Sequence, residues 1–364
     1  MSYHFSRSKL LALVTSAGLL AAACGGGGST PSAAPSSAAS TQATASAAAA
    51  GQLPKPELTK IRIGLSAPSE PVQFAEKLAD MMGIYQKNGI TDVTIIGFEG
   101  DGKALQAVVS GQLDMFVGGA STAINSVITD TPLKVVSMNS VILNDELVCQ
   151  KEIKTPADVK GKTLAISTFG GTSHGSALLM LKGIGLTAKD VVLKEVGGEG
   201  TRVAALKGGS IACAVVGFDN VPALTSTGFN ALYDLSKSPL QWGRSGLMAR
   251  TDFLQKNPNT VLVVVASVLE AQNLMWTDAK NASAKFAEFS QKKPDDAANL
   301  VTGFQAYGSR SMSFSQDAFA APRDVLATVN PAVKDVDVTK AYDLSFLKKL
   351  QDIGFYKKIG APTN

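Results

Sequence analysis

The sequence predicts an α/β protein of two similar lobes, each built on a mostly parallel central sheet, joined by a hinge and followed by a mainly helical C-terminal region. Three observations lead there. The first is an internal repeat. Residues 92–119 (DVTIIGFEGDGKALQAVVSGQLDMFVGG) and 190–217 (DVVLKEVGGEGTRVAALKGGSIACAVVG) align at a constant offset of 98 residues, so Asp92, Gly102, Gly111 and Gly119 match Asp190, Gly200, Gly209 and Gly217. Each copy reads as an apolar strand, a glycine turn, a short amphipathic helix, a glycine stop and a second apolar strand. The second is a further strand ahead of each copy, IRIGLS at 61–66 and TLAIST at 163–168, each running into a helical stretch. The third is the change at Pro258, after which the pattern is mostly helical.

The elements follow in order. Strand 61–66 leads to a helix opened by Pro71, a residue suited to a first helical turn, carried by Phe74, Leu78, Met81, Met82 and Tyr85 and ended by Gly89. Strand 92–98, helix 103–110, strand 113–117, a helix opened by GGASTAIN at 118–125 and strand 133–138 complete the first lobe's leading part. Residues 144–152 cross to the second lobe, where TPADVKGK precedes strand 163–168. FGGTSHGSALLMLKGIG then turns into a helix that stops at Gly183–Gly185, and the second repeat follows. A return crossing lies near 233–250. Val261–Leu269 is apolar but nine residues long, so it reads as a core helix, with further helices at 282–290, 294–305, 315–328 and 338–351. The resulting division is 57–145 plus 246–364 for the first lobe and 146–245 for the second.

Residues 1–23 have the pattern of a secretory signal: Arg7 and Lys9 precede a fourteen-residue apolar run, Leu10–Ala23, too short for a membrane span of about 20. The run ends in LLAAAC, which resembles the lipobox of bacterial lipoproteins, with Ala21 where Leu is usual; Cys24 is then the lipidated first residue of the mature chain. Residues 25–54 carry no charge and little that a core can use, so 24–56 reads as a tether, about 30 Å long on average as a flexible coil.

The formal net charge is +4 and no basic stripe is interleaved with aromatics, which speaks against nucleic acid as a partner. Cys149 and Cys213 lie in apolar strand-like runs and read as buried free cysteines; a disulfide between them stays open, because its geometry is not visible in sequence. Only two histidines occur, His4 in the leader and His174, so a histidine-rich zinc site is excluded. Phosphate-loop and Cys-x-x-Cys patterns are absent, and no metal, cofactor or catalytic residue is expected.

What remains is binding chemistry. Two lobes leave a cleft, and open α/β sheets bind ligands beyond the carboxyl ends of their strands. Gly171, Thr172, Ser173 and His174 open one helix, where free backbone donors, hydroxyls and the positive dipole end suit a carboxylate, sulfonate, phosphate or polar ring edge. Plain N-capping by Thr172 or Ser173 explains the same residues and coexists with ligand contact. Gly119, Ser121 and Thr122 hold the matching place in the first lobe, Asp219 follows the second repeat's last strand, and Ser66 ends the first strand. Trp242 lies on the return crossing, as core packing or as a lid.

ALQAVVSGQLDMFVGGAS, IKTPADVKGKTLAIST, GGTSHGSALLMLKGIGLTAKDVVL and LKGGSIACAVVG together resemble bacterial ABC-transporter solute-binding proteins, in the group with receptors for aliphatic sulfonates, taurine, nitrate and thiamine-type pyrimidine precursors. Ala212 stands where that group usually has Asp. The resemblance implies a two-lobed, hinged trap of the type II periplasmic-binding-protein fold. It implies a monomer that captures a small anionic or heterocyclic solute between its lobes and delivers it to a membrane permease, held outside the cytoplasm by its lipid anchor. The same fold includes enzymes of pyrimidine-precursor and menaquinone-type metabolism and receptors that feed sensors; this chain has neither the cysteine-rich motif nor the histidines of the pyrimidine-forming branch.

Overall fold

The computed structural model describes residues 50–129, 132–238 and 240–363. The leader and Cys24 lie outside the described residues. At the near end of the chain Gly51 is buried, donating from its N–H to the Ile353 carbonyl (2.6 Å) and accepting from Lys358 Nζ (3.1 Å).

The first lobe begins with β1 (Lys60–Leu65), in which Ile61, Ile63 and Leu65 are buried. After a short turn at Pro71–Gln73 come α1 (Phe74–Met81) and α2 (Ile84–Lys87). The sequence reads these as one helix; Gly83, at φ 66°, breaks it, a backbone state that glycine adopts at little cost. Then follow β2 (Asp92–Gly97), α3 (Asp101–Val109), β3 (Met115–Gly118), α4 (Ala120–Val127) and β4 (Leu133–Ser140). The chain crosses and enters β5 (Asp145–Cys149), then β6 (Thr163–Ile166), α5 (Thr172–Gly183), β7 (Val192–Glu195), α6 (Glu199–Lys207), β8 (Cys213–Gly217), α7 (Val221–Thr225) and β9 (Asn230–Asp234). It returns through β10 (Ser245–Arg250).

The two sheets have matching orders, β2-β1-β3-β10-β4 and β7-β6-β8-β5-β9. In each, the repeat supplies the parallel pairs β1–β2, β1–β3, β6–β7 and β6–β8. The crossing strands β10 and β5 take equivalent places and run antiparallel, so the sheets are mixed rather than mostly parallel. The reason is geometric. β1, β3, β6 and β8 all run toward the seam between the lobes, and a chain arriving from the other lobe starts at that seam and must run away from it.

That exchange also decides the cysteines. β5 and β8 pair with Cys149 directly opposite Cys213, Cα atoms 4.0 Å apart, and the two are joined by a disulfide. Gln150 N–H donates to Ala212 in the next rung (2.9 Å), which makes the cysteine rung the narrow, non-hydrogen-bonded one. The free-cysteine reading is therefore corrected; only the antiparallel register brings the two side chains together.

The C-terminal region consists of α8 (Thr251–Lys256), α9 (Pro258–Thr277), α10 (Ala279–Ser290), α11 (Pro294–Phe304), α12 (Asp317–Leu326), α13 (Ser345–Asp352) and α14 (Phe355–Ile359). At 20 residues α9 is far longer than its apolar run and matches a bilayer span in length, but 78% of its apolar window is buried inside the protein. It is a core helix of the first lobe. Its Val261–Val265 run is fully buried, worth roughly 1.5–3 kcal/mol per side chain. α12 touches both lobes: Ala318 and Phe319 join the first core, while Ala321 and Val325 pack on the second.

Candidate functional site

Strand ends and helix starts converge at the seam, and one carboxylate ties them together. Asp101 is the first residue of α3. Its Oδ2 accepts from Gly119 N–H (3.3 Å) and Thr122 Oγ1 (2.9 Å) at the start of α4. The same oxygen accepts from Thr172 N–H (3.3 Å) and Thr172 Oγ1 (3.1 Å) at the start of α5, in the other lobe. Two helix N-termini therefore share one carboxylate, which satisfies donors that their helices leave unbonded and suits their dipoles. Gly119 is required here. A Cβ on it would stand 1.9 Å from Thr172 Oγ1 and 3.2 Å from the Arg244 carbonyl.

The second lobe repeats the device. Glu199, the first residue of α6, accepts from Gly217 N–H (2.6 Å) and Asn220 Nδ2 (3.2 Å). Every partner stands at the repeat offset from its counterpart: Glu199 from Asp101, Gly217 from Gly119, Asn220 from Thr122. Burial pushes the Glu199 carboxyl well above the usual range, helped by Asp219 and Glu70 and opposed by Arg202. Asp219 is likewise pushed up to about 6 by burial and by Glu70, against the pull of Lys292 and Arg244.

Beside these lies a small polar cavity of about 60 Å³. Its charged wall is Glu70, Asp101, Asp145, Glu199, Arg202 and Arg244. Arg244 sits on the return crossing, 7% exposed, and its guanidinium bonds Glu70 (2.7 Å) in the first lobe and Asp145 (3.3 Å) at the start of β5. Burial works against its charge, but the two carboxylates hold its pKa well above the ordinary value. Asp145 also accepts from Ser176 Oγ of α5 (2.5 Å), and Arg202 is held by the Val215 (3.0 Å) and Gly197 (2.8 Å) carbonyls. The two crossings themselves run side by side, with Trp242 N–H on the Val141 carbonyl (2.8 Å) and Arg244 N–H on that of Ser140 (3.1 Å).

On the other side of the Asp101 strap is a larger, mostly apolar groove of about 530 Å³, between Leu105 and Asn125 of the first lobe, Phe169 and His174 of the second, and Leu326 and Val329 at and just past the end of α12. His174 Nδ1 accepts from Gly170 N–H (3.0 Å), which leaves Nε2 as its proton-bearing nitrogen, and burial lowers its pKa despite Glu195. Asn125 Nδ2 bridges the lobes to the Gly170 carbonyl (3.0 Å).

The residues singled out from sequence distribute over these features. Ser66, Thr172 and Ser173 line the polar cavity, where Ser66 Oγ accepts from Gln73 Nε2 (3.0 Å) and Ser173 Oγ from Ser167 N–H (2.8 Å). Thr122, Gly171 and His174 line the apolar groove. Gly119 lies in the strap between the two. Asp219 is half-buried behind Glu199 and lines neither space. Ser121 is fully buried with no partner for its Oγ, and it too lines neither. Trp242 is fully buried in the second lobe's core, so close to Gly175 that a Cβ there would stand 2.3 Å from the indole. The charged residues, Glu70, Asp101, Asp145, Glu199, Arg202 and Arg244, escape a search for glycine-rich helix starts. Asp101 and Glu199 carry a readable signal all the same, since they are acidic residues at equivalent places in the repeat.

Two sheets of equivalent order, exchanged strands at the hinge and a lined seam are the fold of two-lobed solute-binding proteins. The model of the NMT1/THI5-like family matches residues 75–282, more than half of the chain, and the protein belongs to that family. A protein of Brucella abortus (strain 2308), provisionally named a binding protein, is 25% identical over 256 residues, covering 68% of this chain and 75% of its own length. Among solved structures, the alkanesulfonate-binding protein SsuA of Xanthomonas axonopodis pv. citri superposes with a TM-score of 0.66 at 19% identity, covering 79% of this chain and 98% of its own. The periplasmic nitrate-binding protein NrtA of Synechocystis PCC 6803 gives 0.62 at 14% identity, with coverages of 84% and 89%. The resemblance read from the sequence and the fold class it implies are thus both met.

Proposed function

We propose that the protein is the solute-binding component of an ABC-type importer, anchored by Cys24 outside the cytoplasm, that captures a small organic solute at the seam and presents it to a membrane permease. The observation that carries this is the seam itself: buried charged side chains from both lobes and from the return crossing enclose one cavity, as a closing trap requires. The Cys149–Cys213 disulfide supports an oxidising, extracytoplasmic setting. Sulfonate- and nitrate-binding neighbours support a receptor over an enzyme. Of the ligand residues read from sequence, those on the cavity and the groove (Ser66, Thr122, Gly171, Thr172, Ser173, His174) stay in the proposed site, and Gly119 shapes it.

The test is capture and release. Protein purified without denaturation is examined by native mass spectrometry for a bound small molecule, which is then released and identified. A solute that comes off unchanged, with a radius of gyration by X-ray scattering that falls when it is added back, is the expected result. Chemical conversion of the solute, or an unchanged radius at saturation, overturns the reading. Cys24→Ser should move the protein from the membrane to the soluble fraction.

A further inference from the structure

Within that receptor reading, the wall of the cavity indicates what enters. Four carboxylates line it, Glu70, Asp101, Asp145 and Glu199, against two guanidiniums, Arg202 and Arg244. Arg244 is already spent on Glu70 and Asp145. Both oxygens of Asp145 are taken, by Arg244 and Ser176. The others are used on one side only. Asp101 receives all its hydrogen bonds on Oδ2, Glu199 on Oε1 and Glu70 on Oε2. Asp101 Oδ1, Glu199 Oε2 and Glu70 Oε1 receive no hydrogen bond from the described residues, although Asp101 and Glu199 are only 6% and 8% exposed. An oxyanion entering this cavity would meet the charge of its carboxylates in a place where water screens it little. A donor-bearing cation would meet two acceptors that lack donors, Asp101 Oδ1 and Glu70 Oε1, and a third at Glu199 Oε2 once that carboxyl gives up its proton.

We propose that the solute carries a protonated nitrogen, an ammonium or amidinium, that seats among Glu70, Asp101 and Glu199. Arg244 Nε, buried and without a partner, adds one donor for an acceptor atom elsewhere on the same solute. This favours a cation over the small anion that the sequence alone leaves open. It also couples binding to protons. Glu199 faces Asp219, Glu70 and Arg202, and Asp219 faces Glu70, Lys292 and Arg244. Both carboxyls hold protons more readily than usual, and an incoming cation expels them. Affinity therefore falls as pH drops, roughly tenfold per pH unit for each proton that must leave.

The experiment uses the full chain and two probe sets at matched ionic strength, read by native mass spectrometry and isothermal calorimetry. One set is ethylammonium, putrescine, agmatine and acetamidinium; the other is nitrate, acetate, methanesulfonate and ethanesulfonate. Capture from the first set only, weaker at pH 5 than at pH 7, with proton release seen as a buffer-dependent heat, is the expected result. Glu199→Gln should then lose about tenfold in affinity and most of the pH dependence. Because the pH series is run on the native chain, it decides the matter even if that variant folds poorly. Capture of an oxyanion with no cation bound overturns the charge inference while the receptor reading stands. Capture of nothing from either set overturns both.

Discussion

Asp101 and Glu199 occupy one position in two copies of the repeat, and each opens a helix and accepts from the backbone at the end of the repeat's second strand, β3 or β8. Their surroundings differ. Asp101 looks across the seam and collects two further hydrogen bonds from Thr172 of the other lobe. Among the described residues Glu199 has no such donors; its charged neighbours are Asp219, Glu70 and Arg202, and burial beside the two carboxylates favours its protonated form. One inherited device thus acts as an interlobe clasp in the first lobe and as a proton-holding wall in the second. A repeat conserves geometry, but the charge state of a residue is set by whatever the rest of the fold brings beside it.

The comparison can be broken most forcefully at the residue both halves share. Arg244→Met should leave Glu70 and Asp145 buried without their cation and cost about 3–5 kcal/mol, read as a lower urea midpoint. A loss below about 1 kcal/mol would mean that the lobes do not depend on this centre.

Glu76 gives the effect of burial by itself, away from the seam. It is fully buried on α1, with Asn139 Nδ2 (3.0 Å) as its donor and Tyr85 nearby, and burial pushes its carboxyl up to about 7. The native state therefore holds a proton that the unfolded chain releases near 4.5, so stability falls as pH rises from about 4.5 to 7. Glu76→Gln should remove that fall. It should gain up to about 3 kcal/mol at pH 8 and little at pH 4, measured by denaturation at both.

The clasp and the wall separate under matched substitutions. Asp101→Asn puts an amide among donors and should cost about 2 kcal/mol at pH 7. Glu199→Gln resembles the form that Glu199 already favours, and the ligand-free stability should move by less than about 0.5 kcal/mol. Equal costs would erase the distinction.

Smaller still is the clasp's single hydroxyl. Thr172→Ala removes one donor from Asp101 and should cost about 1 kcal/mol, with a larger radius of gyration by scattering as the lobes open. Ser121→Ala, which removes a buried hydroxyl without a partner, should be neutral or slightly stabilising. A larger loss for Ser121→Ala than for Thr172→Ala would show that the helix starts, and not the carboxylate between them, hold the seam.

Much of the fold was legible because it is periodic. Alternation in IRIGLS, the glycine stops at 111 and 209 and the 98-residue offset are local patterns, and strands and helices follow them. The helix starts at Gly119 and Gly171 were legible for the same reason, and they do meet at the seam. What meets them was not, since Asp101 reads as one more acidic residue in a helix's first turn. Arg244 has no local signature at all, because its two partners are 174 and 99 residues away. Trp242, legible as an aromatic on a crossing, is buried in a core that only the packed helices create.

The sequence by itself determined the two α/β lobes, the repeat they share, the glycines that permit close approach and the family to which the chain belongs. Tertiary structure alone decided the antiparallel entry of β5 and β10, and with it the pairing of Cys149 with Cys213. It also decided which carboxyls burial pushes toward their protonated form. Strand formation answers to neighbours a few residues away, whereas register, burial and ionisation answer to groups brought close from distant parts of the chain.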